Sequence, residues 1–391
     1  MDKKTIAINT PFERPDAYGA LSVPIYNNVA FEFSNAAEMA DAFCNRINAP
    51  DYSRVENPTV TNLELRVKEL AQADSVAAFN SGMAAISNTL IATLKQGSEI
   101  VTSNHLFGNT LTLVSTTLAR FGVKARLTDL TDLNQVEQTV NNNTACIFLE
   151  TVTNPQLEVA DVEAISRIAH AKGIPVIIDS TAIPFTHHHL RDLGVDIEVL
   201  SSTKYLSGGG TSLGGLVIDY GTFPEIMKRI KTELLFNFGA YMTPQTAYMQ
   251  TLGLETLHVR YECQSANALH IAKELRNVKG IKSVNYIGLP DNPFLSLATK
   301  QFGGEAYGAM LTIDLGSKQE CFDTLNRLKL IHRATNLFDN RTLAIHPAST
   351  IFGLFSEEKL KEIDVKQTTI RLSIGLEAPT DIINDIKQAL E

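Results

Sequence analysis

The 391-residue chain has no Cys-x-x-Cys pair, no basic run, no internal repeat and no low-complexity tract. Its four cysteines, Cys44, Cys146, Cys263 and Cys321, lie far apart. That spacing suits neither a disulfide framework nor a zinc site, and it fits a reducing cytosol. Cys146 sits in an apolar run and reads as a small buried side chain. With 34 basic and 43 acidic residues the net charge is −9. A mildly acidic chain without a basic-aromatic patch is a poor general nucleic-acid binder. No apolar stretch nears the roughly 20 residues of a membrane span. No apolar signal core follows Met1-Asp2-Lys3-Lys4-Thr5, so a cytoplasmic location is expected.

What is present is an ordinary globular composition, 44% hydrophobic and 20% charged, on a chain too long for one small core. Residues 1 to about 50 read as an extended arm. Pro11, Pro15, Gly19 and Pro24 interrupt any long period, and a helical piece is expected at Ala36–Phe43. Ile25, Tyr26, Val29, Phe31 and Phe33 are too apolar for a free tail, so the arm is expected to pack on another subunit. From about 60 to 240, short apolar runs alternate with helix-period segments. Strands are expected at Ser75–Asn80, Glu99–Ser103, Ala145–Glu150, Val176–Asp179, Glu198–Ser201 and Gly215–Asp219, with helices between them. That order predicts a mostly parallel sheet covered on both faces. From 241 to 391 a long helix from Pro244 to about Val278 precedes shorter strands at Ile281–Tyr286, Gly308–Asp314 and Thr369–Ser373. Helices around Gln319–Leu328 and Thr380–Leu390 flank them, as in a smaller α+β domain.

The chemistry gathers at strand ends. Asp179 closes one apolar run, and Lys204 follows another in Ser201-Ser202-Thr203-Lys204 before the glycine-rich Gly208–Gly215. Ligands of open α/β sheets sit at such ends. An acid, a lysine and nearby hydroxyls suit pyridoxal phosphate. The lysine takes the aldehyde as a Schiff base, the carboxylate holds the pyridine nitrogen protonated, and the hydroxyls of Ser201 and Thr203 bind phosphate. Ser81-Gly82-Met83 at a strand-to-helix junction offers unpaired helix N–H groups to an anion. Other candidates keep plainer alternatives. Tyr52-x-Arg54 is a phosphate ligand or a surface turn. Asn154 before Pro155 bonds the cofactor's phenolic oxygen or serves a turn. Arg371 on an alternating strand holds a substrate carboxylate or a structural ion pair. His187-His188-His189 cannot easily converge on one ion and has no metal-site spacing, so no metal is expected.

Together these motifs resemble the Cys/Met-metabolism group of pyridoxal-phosphate enzymes, which holds the cystathionine synthases and lyases, methionine γ-lyase and O-acetylhomoserine sulfhydrylase. The likeness runs from Tyr52-Ser53-Arg54 through Ser81-Gly82-Met83-Ala84-Ala85, Asn154-Pro155, Asp179-Ser180-Thr181 and Thr203-Lys204-Tyr205 to Arg371-Leu372-Ser373. It implies the fold-type I, aminotransferase-like architecture and a tetramer of two tight dimers, with active sites at the dimer interface. It implies Lys204 as the cofactor-bearing lysine and proton shuttle, and Asp179 as the pyridinium partner. Ser81, Gly82, Met83, Asn154, Thr181, Ser201 and Thr203 would complete the cofactor site, with Tyr52 and Arg54 entering from the neighbouring subunit. Arg371, Asn336 and Asn154 would bind substrate.

One departure bears on the reaction. Many members carry Leu-Tyr-Gly where this chain has Leu106-Phe107-Gly108. Phe107 can still stack on the cofactor ring, but it has no proton for a leaving group. A thiolate leaving group would suffer most, and acetate, a weak base, least. The loop Gly210–Gly215 and the segment Asn336-Leu337 with Ala344–Thr350 also resemble the O-acetylhomoserine sulfhydrylase branch, whereas Ser81-Gly82-Met83-Ala84 is closer to the lyases and γ-synthases. The expectation is γ-replacement on O-acetyl-L-homoserine by sulfide or a small thiol. The alternative is β- or γ-elimination from methionine or cystathionine.

Overall fold

The computed structural model describes residues 1–10, 16–44, 46–304 and 306–391. Strands β1 Ser75–Phe79, β2 Glu99–Thr102, β3 Lys124–Leu127, β4 Thr144–Glu150, β5 Val176–Asp179, β6 Ile197–Leu200 and β7 Gly215–Asp219 form one sheet in the order β1-β7-β6-β5-β4-β2-β3. From β3 to β6 the neighbours are parallel, and β7 runs antiparallel to both β6 and β1. The reason lies between β6 and β7. Residues 201–214 contain no helix to carry a parallel crossover, so the chain returns from the edge at which it left. Lys204 therefore stays at the C-terminal edge of β6.

Both faces of the sheet are covered, and alternation decides which side chain goes where. Ile147 and Leu149 of β4 join a core with Leu63 and Val67 of helix Pro58–Ala71 and Ile165 of helix Val162–His170. Cys146 and Phe148 face the other side, with Ile86 and Leu90 of helix Gly82–Thr93. Cys146 is fully buried. Each such side chain contributes about 1.5–3 kcal/mol by leaving water. Strands β8 Ser283–Asn285, β9 Met310–Asp314, β10 His332–Arg333, β11 Leu343–Ile345 and β12 Thr369–Ser373 make a second sheet, ordered β10-β11-β12-β9-β8. Helix Pro244–Leu275 supplies Leu254, Leu257 and Ile271 to the first core, which also takes in β9 and β12.

Several elements differ from the sequence expectation. The arm is not extended throughout, since Lys3–Asn9 is a helix capped by the Asp2 side chain. That short helix packs on its own chain. Ala7 is buried, its carbonyl accepts from Arg66, and the Lys3 ammonium donates to the carbonyls of Phe185, Thr186 and His188. A seven-residue helix held by caps and ion-dipole contacts leaves little apolar period to read. Pro11 and Pro15 lie outside the described residues. Strands β3, β10 and β11 were not anticipated, because two to four residues are too few to show an alternation.

Candidate active site

A cavity of about 700 Å³ opens where the C-terminal ends of β4, β5 and β6 meet the second sheet. Its lining includes Ser81, Gly82, Met83, Phe107, Asn154, Asp179, Thr181, Ser201, Thr203, Lys204 and Arg371, all anticipated from the sequence. Glycine makes one corner possible. A Cβ at Gly82 would lie 2.6 Å from Ser201 Cβ, so the start of helix Gly82–Thr93 and Ser201 can touch only without it. Ser81 caps that helix, its hydroxyl accepting from the Ala84 N–H at 3.1 Å. Thr181 ties the corner to the acid. Its N–H donates to Asp179 Oδ1 at 2.9 Å and its hydroxyl accepts from the Ser201 N–H at 2.8 Å. The Thr203 hydroxyl exchanges hydrogen bonds with the Gly214 backbone, which folds the glycine loop against the lysine.

The charges are set by burial. Burial, aided by the nearby Arg371 guanidinium, brings the Lys204 amine down to about 8, so much of it is neutral and nucleophilic near pH 8. Its Nζ donates to Asn336 Oδ1 at 2.7 Å. Burial lifts the Asp179 carboxyl to about 6 against the pull of its bonds to Thr181. Arg371 is 2% exposed and brought down to about 9 by burial. One terminal nitrogen donates to Asn154 Oδ1 at 3.0 Å, while Nε is buried without a partner. Among the described residues no carboxylate pairs with this guanidinium, which leaves a buried charged donor open toward the cavity.

Residues 4–391 match the family model of the Cys/Met metabolism PLP-dependent enzymes. The chain belongs to that family. It is 38% identical to an L-methionine gamma-lyase of Fusobacterium nucleatum over 96% of this chain and 94% of the relative. It is 34% identical to an O-acetyl-L-homoserine sulfhydrylase of Corynebacterium glutamicum, covering 94% and 92%. A crystal structure from Campylobacter jejuni, assigned as an O-acetylhomoserine (thiol)-lyase and holding N'-pyridoxyl-lysine-5'-monophosphate, superposes with a TM-score of 0.96 at 34% identity over all of both chains. The architecture is fold-type I α/β and the enzyme depends on pyridoxal phosphate. The cavity fits that group on its own evidence. The helix N-terminus at Gly82 meets Ser201, a carboxylate stands at a strand end, and a buried lysine with a lowered proton affinity lines the same cavity.

Three anticipated residues lie outside this cavity. Tyr52 and Arg54 sit together, the Arg54 guanidinium 5.3 Å from the Tyr52 ring centroid and bonded to the Phe236 carbonyl. Tyr52 is 40% exposed. Asn336 lines a smaller adjoining cavity that shares Thr203 and Lys204. The Asn154 side chain, expected at the cofactor's phenolic oxygen, is engaged by Arg371. The histidine run disperses. His188 pairs with buried Glu198 at 3.1 Å, His187 stacks on His258 at 4.4 Å, and His189 is exposed. Among the described residues His187, His258 and Glu262 bring ligand-type atoms near one another, with Lys4 3.9 Å from Glu262.

The sequence reading passed over two acids. Glu150 ends β4 as Asp179 ends β5, and the two are register partners. Paired residues of parallel strands project to the same side, so two carboxyls share the cavity. Glu150 accepts the Phe107 N–H at 2.7 Å, and burial with the neighbouring Asp179 pushes its carboxyl well above the usual range. Only strand pairing exposes this relation, since 29 residues separate the two acids (179 − 150). The other is Asp339, whose Oδ2 accepts from Asn336 Nδ2 at 3.3 Å.

Proposed function

We propose that this enzyme carries out γ-replacement on O-acetyl-L-homoserine, exchanging acetate for sulfide or a small thiol to give homocysteine or methionine. The family supports γ-replacement or lyase chemistry in general. Phe107 carries the narrower reading. It lines the cavity with Met83 and Asn154, and among the described residues of this chain no phenol lines that cavity to protonate a leaving thiolate. Bound pyridoxal phosphate supplies the electron sink for the pair released at the substrate's α carbon. Lys204 takes the α proton. Arg371 holds the α-carboxylate through its open donor, with Asn154 fixing the guanidinium plane. Asp179 sustains the cofactor's ring-nitrogen proton, and Phe107 covers the ring and excludes water. Tyr52 and Arg54 complete the phosphate site of the neighbouring subunit in a homotetramer of two tight dimers. This reading also takes 1–50 as the arm, 51–240 as the cofactor domain and 241–391 as the C-terminal domain, and it places the enzyme in the cytoplasm.

Purified enzyme given O-acetylhomoserine and sulfide is expected to release homocysteine and acetate in equal amounts. Faster production of 2-oxobutyrate and ammonia from methionine or cystathionine would sink the synthase reading. That γ-lyase alternative has support of its own. Relatives at 37% and 38% identity are methionine γ-lyases, and Glu150 places a proton-holding carboxyl in the same cavity. Phe107→Tyr separates the arguments, because a gain in elimination is expected when the phenol returns.

A further inference from the structure

Between Lys204 and Arg371 runs the turn that follows Asn336, and Phe338 and Asp339 in it carried no signal in the sequence. Phe338 adopts φ +55°, a left-handed conformation that a bulky side chain rarely takes and that costs about 1–3 kcal/mol. It is bolted on both sides. Its ring stacks on Tyr205, the neighbour of Lys204, with centroids 4.2 Å apart and planes 9° from parallel. Its N–H donates to the Ser373 hydroxyl at 2.7 Å, two residues beyond Arg371. The left-handed residue folds the turn back, so that Asp339 faces Asn336. Asn336 Nδ2 donates to Asp339 Oδ2 at 3.3 Å, and its Oδ1 accepts from Lys204 Nζ at 2.7 Å. A carboxylate only accepts, so Asp339 decides which end of the amide faces the lysine. Asp339 is buried, its other oxygen takes the Arg341 N–H at 3.0 Å, and Gly210 leaves it room, since a Cβ there would lie 2.3 Å from Oδ2.

We propose that Asp339 is a positioning residue for the reaction, acting through Asn336 to hold the Lys204 amine in place and to stabilise it when it carries the substrate's proton. The surrounding charges make this specific. Arg371 of β12 disfavours a protonated Lys204, and Asp339 favours it. Glu150 and Asp179 line the cavity from β4 and β5. Arg341 lies 3.7 Å from Asp339, and Arg260 of helix Pro244–Leu275 is bonded to the Tyr205 carbonyl. A substrate carboxylate on Arg371 cancels the opposing charge. Lys204 then becomes a stronger base as substrate arrives, with Asp339 already in place to hold the ammonium.

The test is a pH titration of the visible band of cofactor-loaded enzyme, with a melting curve for each variant. The inference rests on Lys204 as the cofactor-bearing lysine, so borohydride fixation and peptide mapping of the wild type come first. A label elsewhere than Lys204 overturns that reading itself. With the label on Lys204, Asp339→Asn is expected to lower the band's midpoint by about one pH unit, a tenfold loss of proton affinity, and Asp339→Glu to restore most of it. Asn336→Ala cuts the chain in the middle and is expected to shift the midpoint the same way, which keeps the test open if Asp339→Asn does not fold. Midpoints that coincide with the wild type while only the melting temperature falls would reduce Asp339 to a structural role and overturn the proposal.

Discussion

The two halves of the anticipated phosphate site behave differently. Gly82, Ser201, Thr203 and Lys204 meet inside one chain, walled by the sheet and by the first turn of a helix. Tyr52 and Arg54 stand outside that cavity, with Tyr52 40% exposed. The inner half is held by close packing and backbone hydrogen bonds and is therefore rigid in a single chain. The outer half is more open: Tyr52 is exposed, and Arg54 is half-buried against the Phe236 carbonyl. The contrast separates residues gathered inside one chain from a Tyr52 loop that lies apart from the cavity they line.

The largest expected effect tests the inner half. Lys204→Ala should cut turnover by about a thousandfold or more, and borohydride should no longer fix the cofactor covalently. Arg54→Ala tests the outer half. Losing a bidentate charged donor should weaken cofactor affinity roughly 10–100-fold without moving the melting temperature of cofactor-free protein. If Arg54 serves a neighbour, mixing inactive Lys204→Ala chains with Arg54→Ala chains should recover activity, because a hybrid holds one intact site. No recovery would confine Arg54 to its own chain. Gly82→Ala sharpens the packing side, since its methyl group meets Ser201 and should cost about 1–3 kcal/mol, read as a lower melting temperature together with weaker cofactor binding. The smallest effect is a pH dependence. Lys204 is lowered from an ordinary lysine's range to about 8, and only the neutral amine attacks the aldehyde. The rate of cofactor capture by stripped enzyme should rise about tenfold per pH unit below 8 and level off above it. A rise continuing past pH 10 would mean that Lys204 is not desolvated.

Much of this architecture was legible in the chain. The apolar strands β4 to β6 announce a parallel sheet because both faces are buried, so their sequences have no polar alternation to blur them. Lys204 and Asp179 are legible because each ends such a run. The helix at Lys3–Asn9 was not, since caps and an ammonium hold it rather than an apolar stripe. Phe107 was recognisable only as a missing hydroxyl. That its N–H hangs from Glu150, and that Glu150 stands beside Asp179, depends on strand register, which a one-dimensional pattern does not carry.

The sequence motifs carry the resemblance to the family and with it the cofactor, and they mark Lys204 and Asp179 as candidates, because these signals are local: a side chain at or just past the end of a strand stays there whatever the rest of the fold does. Long-range packing decides the rest. It puts Asp339 behind Asn336 through a left-handed phenylalanine, pairs two carboxyls 29 residues apart (179 − 150), and leaves Arg371 buried with an open donor. Burial and neighbouring charge set the protonation of such groups, and both are properties of the folded chain that no stretch of sequence possesses by itself.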